Sequence, residues 1–245
     1  MDLSVIIPAY DEERRIERGL AGVLGYLADR HLDAEVLVVD DGSRDRTAAV
    51  VEGIAARDPR VRLLRHTENR GKGAAVRTGV LAAEGRLILF TDTDQSTPMH
   101  CIERLIEVLD AGFDLAIASR EIVGARRLIP QPFHRRAMGH LFVVLRSLLV
   151  LPGFIDTQCG FKLFRREVAK DVFARTRIDG FAFDVEVLAV ALHRGFRVSE
   201  VPVEWVDDPD SRVSAVSDSL RAIRDLLRSR RHLRRGTYGK DGPAA

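Results

Sequence analysis

Short apolar, largely β-branched runs alternate, through the first half of the chain, with longer stretches whose apolar positions recur every three or four residues. The runs Leu3 to Pro8, Val36 to Val39, Val61 to Leu64, Leu87 to Phe90 and Leu115 to Ala118 show no polar alternation. They therefore predict strands of a parallel sheet covered on both faces, the first one stopped by Pro8. Between them, helical spacing is carried by Ile16, Leu20, Val23, Leu24 and Leu27, then by Ala48 to Ala55, Ala74 to Ala83 and Ile102 to Leu109. Strand and helix in repeated alternation imply right-handed crossovers and an α/β fold with an open, mostly parallel sheet and flanking helices. Beyond Arg120 the alternation weakens. Phe133 to Leu151 reads as an apolar helix with a basic start, Gly160 to Arg165 as a strand, Val185 to Arg194 as a helix, and Phe196 to Val206 as one or two strands. Val213, Val216, Leu220, Ile223, Leu226 and Leu227 then repeat at helical spacing and run into Arg228, Arg230, Arg231, Arg234 and Arg235. A disordered tail is expected from Gly236 onward.

Composition narrows this picture without changing it. A chain of 245 residues, 46% hydrophobic and 30% charged, suits one large domain with a full core. The net charge of +2 hides an arginine-crowded stretch from Arg221 to Lys240, the end expected to meet a membrane or other polyanion. Two cysteines, Cys101 and Cys159, give no disulfide framework or thiolate metal site, and with no secretory leader near Met1 a reducing cytosol is expected. The longest apolar stretch, Leu141 to Leu151, is broken by Arg146 and Ser147 and falls short of the roughly 20 residues a spanning helix needs. A soluble or peripheral protein follows. The basic tail lacks interleaved aromatics, so a nucleic-acid partner is not expected.

Ligands of open α/β sheets bind beyond the carboxyl ends of the strands, and three of those ends are acidic: Pro8-Ala9-Tyr10-Asp11-Glu12, Asp40-Asp41-Gly42-Ser43 and Asp92-Thr93-Asp94. Gathered on one rim, such carboxylates repel one another unless a cation or a donor-rich substrate lies among them. Asp92 and Asp94, two residues apart after a buried strand, project to the same side when extended, as a hard cation such as Mg²⁺ or Mn²⁺ requires; an Asx turn is the plainer reading. Ser43 or Asp45 could cap the following helix, yet that leaves two successive carboxylates, one of which could accept a nucleobase N–H. Pro8, Ala9 and Tyr10 offer a flat wall for such a base. Asn69-Arg70-Gly71-Lys72-Gly73 enters a helix with backbone N–H groups and Lys72 available to an anion, although it is not a Walker A loop.

The motifs Val5-Ile6-Ile7-Pro8-Ala9-Tyr10-Asp11-Glu12, Val38 to Thr47, Asn69 to Gly73 and Asp92-Thr93-Asp94, in this order, resemble those of family 2 glycosyltransferases with the A-type (Rossmann-like) nucleotide-binding fold. Farther on, Asp156 to Lys162, Glu200 to Trp205 and Ser211-Arg212 are similar to the dolichyl-phosphate glucosyltransferase branch and its mannose synthase relatives, so that the resemblance spans Leu3 to Val213. It implies that Pro8, Ala9, Tyr10, Glu12, Asp40, Asp41 and Lys72 hold the nucleotide, and that Asp92 and Asp94 hold Mg²⁺ or Mn²⁺ on the donor diphosphate. Arg120 and Arg135 stand at basic positions that hold the acceptor phosphate, and Arg212 stands where relatives carry Lys near the donor phosphates. The mannose synthases place a Gln as third metal ligand at the position of Ser96, whereas here the Gln is Gln95. The chain thus reads as a catalytic domain over 1–213, an amphipathic basic helix over 214–235 and a disordered tail over 236–245.

The implied reaction is metal-dependent, inverting transfer of a sugar, glucose from UDP-glucose first, to a polyprenyl or dolichyl phosphate by a peripheral protein on the cytoplasmic face of a membrane. A phosphate acceptor, dianionic above a second pKa of about 6, needs no general base. Asp156 reads as a group orienting acceptor or sugar, or as a brace of the next strand. Asp184 and Glu186 read as reaching the sugar or as lying on an open helix face. The other readings are a GDP-mannose-dependent polyprenyl-phosphate mannosyltransferase, a family 2 transferase with a soluble acceptor, a nucleotide-sugar-binding module without turnover, and a subunit that needs a membrane-protein partner.

Overall fold

A computed structural model describes residues 1–127, 151, 153–206 and 215–239. The strands are β1 (Leu3–Ala9), β2 (Ala34–Asp40), β3 (Val61–Arg65), β4 (Leu87–Thr91), β5 (Leu115–Ser119), β6 (Arg126–Arg127), β7 (Phe161–Arg165), β8 (Val198–Pro202) and β9 (Glu204–Trp205). The helices are α1 (Ile16–Asp29), α2 (Thr47–Ala55), α3 (Lys72–Ala82), α4 (Ile102–Asp110), α5 (Arg166–Arg175), α6 (Phe183–His193) and α7 (Ala215–Arg234). The expected helix over Phe133 to Leu151 falls almost wholly outside the described residues, as do Arg135 and Arg212.

Seven strands form one sheet in the order β3-β2-β1-β4-β7-β5-β8, and β6 pairs with β9 in a second small sheet. All neighbours in the large sheet are parallel except β7, which runs antiparallel to both β4 and β5. The uniform apolarity of the central strands is explained by their position: β1, β2, β4 and β5 are buried along their whole length, whereas the edge strand β3 is partly exposed. Side chains of a strand alternate between faces, so Leu3, Val5 and Ile7 pack with α1, α2 and α4, while Ile6 points the other way into a core built with α3, α5 and α6. Three layers result, with the tips of β1, β2, β4 and β5 at one end of the sheet.

Three expectations need correction. Pro8 does not end β1, because it lies past the last β4 pair, Ile6 with Phe90, where no ladder donor is required; its carbonyl accepts the Thr93 hydroxyl at 3.0 Å instead. Helix α5 was not expected, although Val168, Ala169, Val172 and Phe173 form its buried face, because it begins directly after β7 with no turn residue between. The chain past Gly236 is not disordered over 236–239: Tyr238 is 1% exposed and part of the core that α3, α5 and α6 enclose. Among the described residues no helix is long and apolar enough to cross a membrane.

Candidate functional site

The strand tips surround a cavity of about 420 Å³ lined by Pro8, Ala9, Tyr10, Glu12, Arg15, Asp41, Asn69, Gly71, Lys72, Ala75, Asp92, Thr93, Asp94 and Phe181. Seven of the expected site residues other than Arg120 and Asp156 therefore share this space with Asp92, namely Pro8, Ala9, Tyr10, Glu12, Asp41, Lys72 and Asp94. Asp40, at the end of β2, is fully buried and does not line it.

Asp92 and Asp94 follow β4 at the cavity edge. Asp92 pairs with Lys72 at 2.6 Å, and Asp94 accepts the Ser96 N–H at 2.9 Å. Burial, and then the charge of Asp92, pushes the Asp94 carboxyl above its ordinary pKa. Burial alone would lower Lys72, but Asp92, Asp184 and Asp94 outweigh it and hold the ammonium above its usual value. Gln95 turns its side chain back to the Asp92 carbonyl at 3.0 Å, and Ser96 is engaged with Asp94 through its N–H. Two cavity-facing carboxylates offer an all-oxygen donor set of the kind that hard cations such as Mg²⁺ or Mn²⁺ take. Among the described residues no third acidic, His or Cys side chain joins them.

The antiparallel strand β7 presses on this tip from the side. Its register sets Thr91 opposite Phe161, and Asp92 donates its N–H to the Gly160 carbonyl at 3.1 Å. A β-carbon on Gly160 would lie 2.0 Å from Asp92 Oδ2, so only glycine leaves that carboxylate where it is. If this cavity is a catalytic centre, Gly160→Ala is expected to cut its rate by about 100-fold, the scale of a displacement near 1 Å at a reacting centre. Steady-state rates beside thermal melts would check this, and full activity in a well-folded variant would contradict it.

The loop before α3 does not keep its backbone donors for an anion. Arg70 and Gly71 give their N–H groups to Asp41 at 3.0 and 2.7 Å, and Gly73 donates to the Asp179 carbonyl at 2.7 Å. Gly71, at φ +107, packs so tightly that a β-carbon would lie 2.4 Å from the Asp179 carbonyl oxygen. Lys72 alone of this segment reaches the site with its charge. Asp41 also holds His66 Nδ1 at 2.6 Å, so its carboxylate is committed to shaping the loop. Asp40 accepts the Ser43 N–H at 3.1 Å through Oδ1, and Arg65 Nε stands 3.4 Å from Oδ2 as an ion pair. Of the two expected caps of α2, Asp45 meets the N–H of its first residue, Thr47, whereas Ser43 is drawn into a stitch between two tips. Ser43 accepts the Asp11 N–H at 2.9 Å, Thr47 accepts that of Glu12 at 2.7 Å, and Asp45 accepts that of Thr47 at 2.9 Å. Glu12 is in turn gripped by both arms of Arg15, at 2.7 and 2.6 Å.

On the far side of β7, Arg120 leaves the tip of β5 and forms a two-pronged pair with Asp156, at 2.7 and 2.9 Å. Burial would raise the Asp156 pKa, but the Arg120 charge and hydrogen bonds prevail and hold it below the ordinary carboxylate range. Glu200 on β8 accepts the N–H groups of Ile155 and Asp156 at 2.8 and 2.7 Å, and the Arg120 guanidinium lies 5.3 Å from the centre of the Trp205 ring. Asp156 therefore orients Arg120, and Glu200 and Trp205, noticed in the sequence only as a motif, complete its mounting. Arg120 retains 22% side-chain exposure.

Asp184 and Glu186 are corrected from surface or sugar-facing groups to buried ones, 3% and 0% exposed. Asp184 meets the fully buried Lys162 at 2.5 Å, and Glu186 accepts the Arg177 and Ile178 N–H groups at 2.9 and 2.8 Å and the Tyr238 hydroxyl at 2.6 Å. Sequence reasoning missed Arg15 and Phe181 as lining residues. Arg15 carried a signal, its spacing of three from Glu12 on an entering helix; Phe181 carried none, since an apolar residue on a loop is ordinarily packing.

Residues 4–173 match the family model described as "Glycosyl transferase family 2". Dolichyl-phosphate beta-glucosyltransferase of Drosophila melanogaster is 37% identical over 242 residues, 93% of this chain and 74% of the relative. The Homo sapiens protein of the same name is 33% identical over 238 residues, 92% and 74%. The fold is that of glucosyl-3-phosphoglycerate synthase from Mycobacterium tuberculosis in complex with UDP, at TM-score 0.68 and 21% identity, covering 94% of this chain and 80% of that one. The same synthase with Mn²⁺, UDP-glucose and phosphoglyceric acid aligns at TM-score 0.66 and 20% identity, covering 96% and 80%. The ordered strand-tip motifs, the mostly parallel sheet that unites them and these matches together show that the chain belongs to glycosyl transferase family 2.

Proposed function

We propose that this protein is an inverting glucosyltransferase that moves glucose from UDP-glucose to a polyprenyl or dolichyl phosphate at the cytoplasmic face of a membrane. The observation that carries this reading is the pairing, across β7, of an acidic cavity edge at Asp92 and Asp94 with a rigidly mounted, partly exposed Arg120. The first suits a nucleotide diphosphate with its cation, and the second a phosphate acceptor. Relatives more than 30% identical along nearly the whole chain carry the name dolichyl-phosphate beta-glucosyltransferase, which favours glucose and a dolichyl acceptor over the mannose and soluble-acceptor alternatives.

In this reading Pro8, Ala9 and the half-exposed Tyr10 form the wall against which the base rests, with Asp40, Asp41 and Glu12 fixing the loops around it. Asp92 and Asp94 would hold Mg²⁺ or Mn²⁺, which supplies charge stabilisation for the departing nucleoside diphosphate. Lys72 adds a positive charge at the same edge. Arg120, locked by Asp156, presents its guanidinium to the acceptor phosphate; Arg135, outside the described residues, would be its second contact, and Arg212, also outside them, would lie near the donor phosphates. A phosphate oxygen attacks the anomeric carbon as the bond from that carbon to the diphosphate oxygen breaks, with no proton to remove, so that the configuration inverts. Because an isoprenoid tail exceeds what the cavity could enclose, the acceptor must be met at a bilayer. The basic helix α7, with Arg228 64% exposed on its side chain and Arg231, His232 and Arg234 in its last turn, would face that surface.

The test is to supply UDP-glucose or GDP-mannose, with Mg²⁺ or Mn²⁺, together with a short polyprenyl phosphate or a soluble glycan. Lipid-linked β-glucose is the expected product. Preference for GDP-mannose would move the assignment to the mannosyltransferase reading, and a sugar found only on the soluble acceptor would overturn the lipid acceptor.

A further inference from the structure

The described part of the segment after α7 makes a contact outside the cavity lining. Tyr238 is 1% exposed, sets its ring at a tilt of 56° to His232 with the ring centres 5.9 Å apart, and donates its hydroxyl to Glu186 at 2.6 Å. Glu186 is itself fully buried in the first turn of α6, and its other oxygen accepts the N–H groups of Arg177 and Ile178. The chain held in this way continues into Asp179, whose carbonyl receives the Gly73 and Ala74 N–H groups at 2.7 and 3.3 Å, and then into Phe181 at the cavity. Close packing transmits this placement. A β-carbon on Gly73 would lie 2.5 Å from the Ile178 carbonyl oxygen, so the loop cannot shift toward α3 without moving the turn that carries Lys72. Two hydrogen-bonded steps therefore connect the C-terminal turn to the loop that forms a wall of the cavity, and a third connects that loop to the turn of the lysine paired with Asp92.

We propose that Tyr238 is a positioning residue: acting through Glu186, it sets the loop from Arg177 to Phe181 and the first turn of α3, and thereby the shape of the donor pocket. A buried carboxylate left without a donor at one oxygen turns to replace it, and turning disturbs what the other oxygen holds, here the loop's own backbone. The consequence for α7 is that the helix expected to meet the membrane is tied to the donor site, since Tyr238 sits on the turn that closes it. The functional part of this inference rests on the glucosyltransferase reading; the structural coupling does not.

Tyr238→Phe keeps the ring and removes only the hydroxyl. In the full chain, amide hydrogen exchange is expected to rise about tenfold in peptides covering 177–181 and 71–76, the worth of one net hydrogen bond, and to stay unchanged in β1 and β2. The donor KM should rise about tenfold while kcat and the acceptor KM hold within about twofold. Val51→Ala, on α2 across the sheet, serves as a variant destabilised without touching this contact. Unchanged exchange at 177–181 or at 71–76, or a rise spread evenly through the core as in Val51→Ala, would overturn the proposal. Locally raised exchange with an unchanged donor KM would reduce Tyr238 to a stabilising plug and overturn its positioning role. Failure of the glucosyltransferase reading would look different: the parent chain would not transfer glucose, while the exchange comparison would still decide the coupling.

Discussion

Asp92→Asn is expected to lower sugar transfer by about 10³-fold while the protein still folds. The amide keeps the shape of the side chain and removes the charge that pairs with Lys72 at 2.6 Å and faces Asp94 across the cavity edge. Loss of one pre-positioned group that stabilises charge in a transition state typically costs roughly 10²–10³ in rate, and a carboxylate proposed to hold a cation as well belongs at the upper end of that range. Stability should change little, by about 1 kcal/mol at most, because the pair retains 20% and 34% side-chain exposure and water moderates its loss. Initial rates with a Mn²⁺ titration, set beside thermal melts, would separate the two effects. Transfer at the parental rate, or transfer that persists in a chelator, would remove the carboxylate pair from the chemistry.

Lys162→Met is expected to act the other way, on folding before catalysis. Lys162 is fully buried, with its ammonium 2.5 Å from Asp184, 2.7 Å from the Cys159 carbonyl and 4.9 Å from the centre of the Phe90 ring. Its removal leaves Asp184, 3% exposed, as an uncompensated charge, which costs about 3–5 kcal/mol. Adding Asp184→Asn should recover about half of that loss, because a neutral amide needs no counter-charge. The pH dependence has a defined sign. Burial raises the Asp184 pKa against the pull of Lys162 and Lys72, so the folded state holds this proton at a pH where the unfolded chain has released it. Without Lys162 the rise is larger, and the deficit of the single variant should shrink as pH falls from 7 toward 5. Urea unfolding at the two pH values would show it; an equal deficit at both would mean that Asp184 is not the group left unpaired.

How much of this was legible beforehand varies with the range of the interaction. The burial of Leu3, Val5 and Ile7 on one face and Ile6 on the other follows from the side-chain period of a strand, and the ends of α1 to α4 fell within a few residues of their apolar spacing. The acidic tips were legible as tips, since a strand that stops at a polar cluster in an open α/β sheet stops at its ligand-binding rim. What each charge would touch was not. Lys72 looked like part of an anion loop, but the loop's N–H groups go to Asp41 and to Asp179, a residue more than a hundred positions away from the first. Glu186 looked like an open helix face, but a tyrosine from the expected disordered end covers it.

The pattern of apolar and polar residues by itself determined the layered α/β architecture, its mostly parallel sheet and the loops in which chemistry would be found, because helix and strand periods are written in near neighbours. Only the tertiary structure decided that β7 runs antiparallel between β4 and β5, setting Gly160 against Asp92 and Asp156 against Arg120, and that Tyr238 returns to the core. The reason is physical. A buried charge takes whichever partner the strand order brings within about 3 Å, and that order is settled by the packing of the whole chain, which no local spacing records.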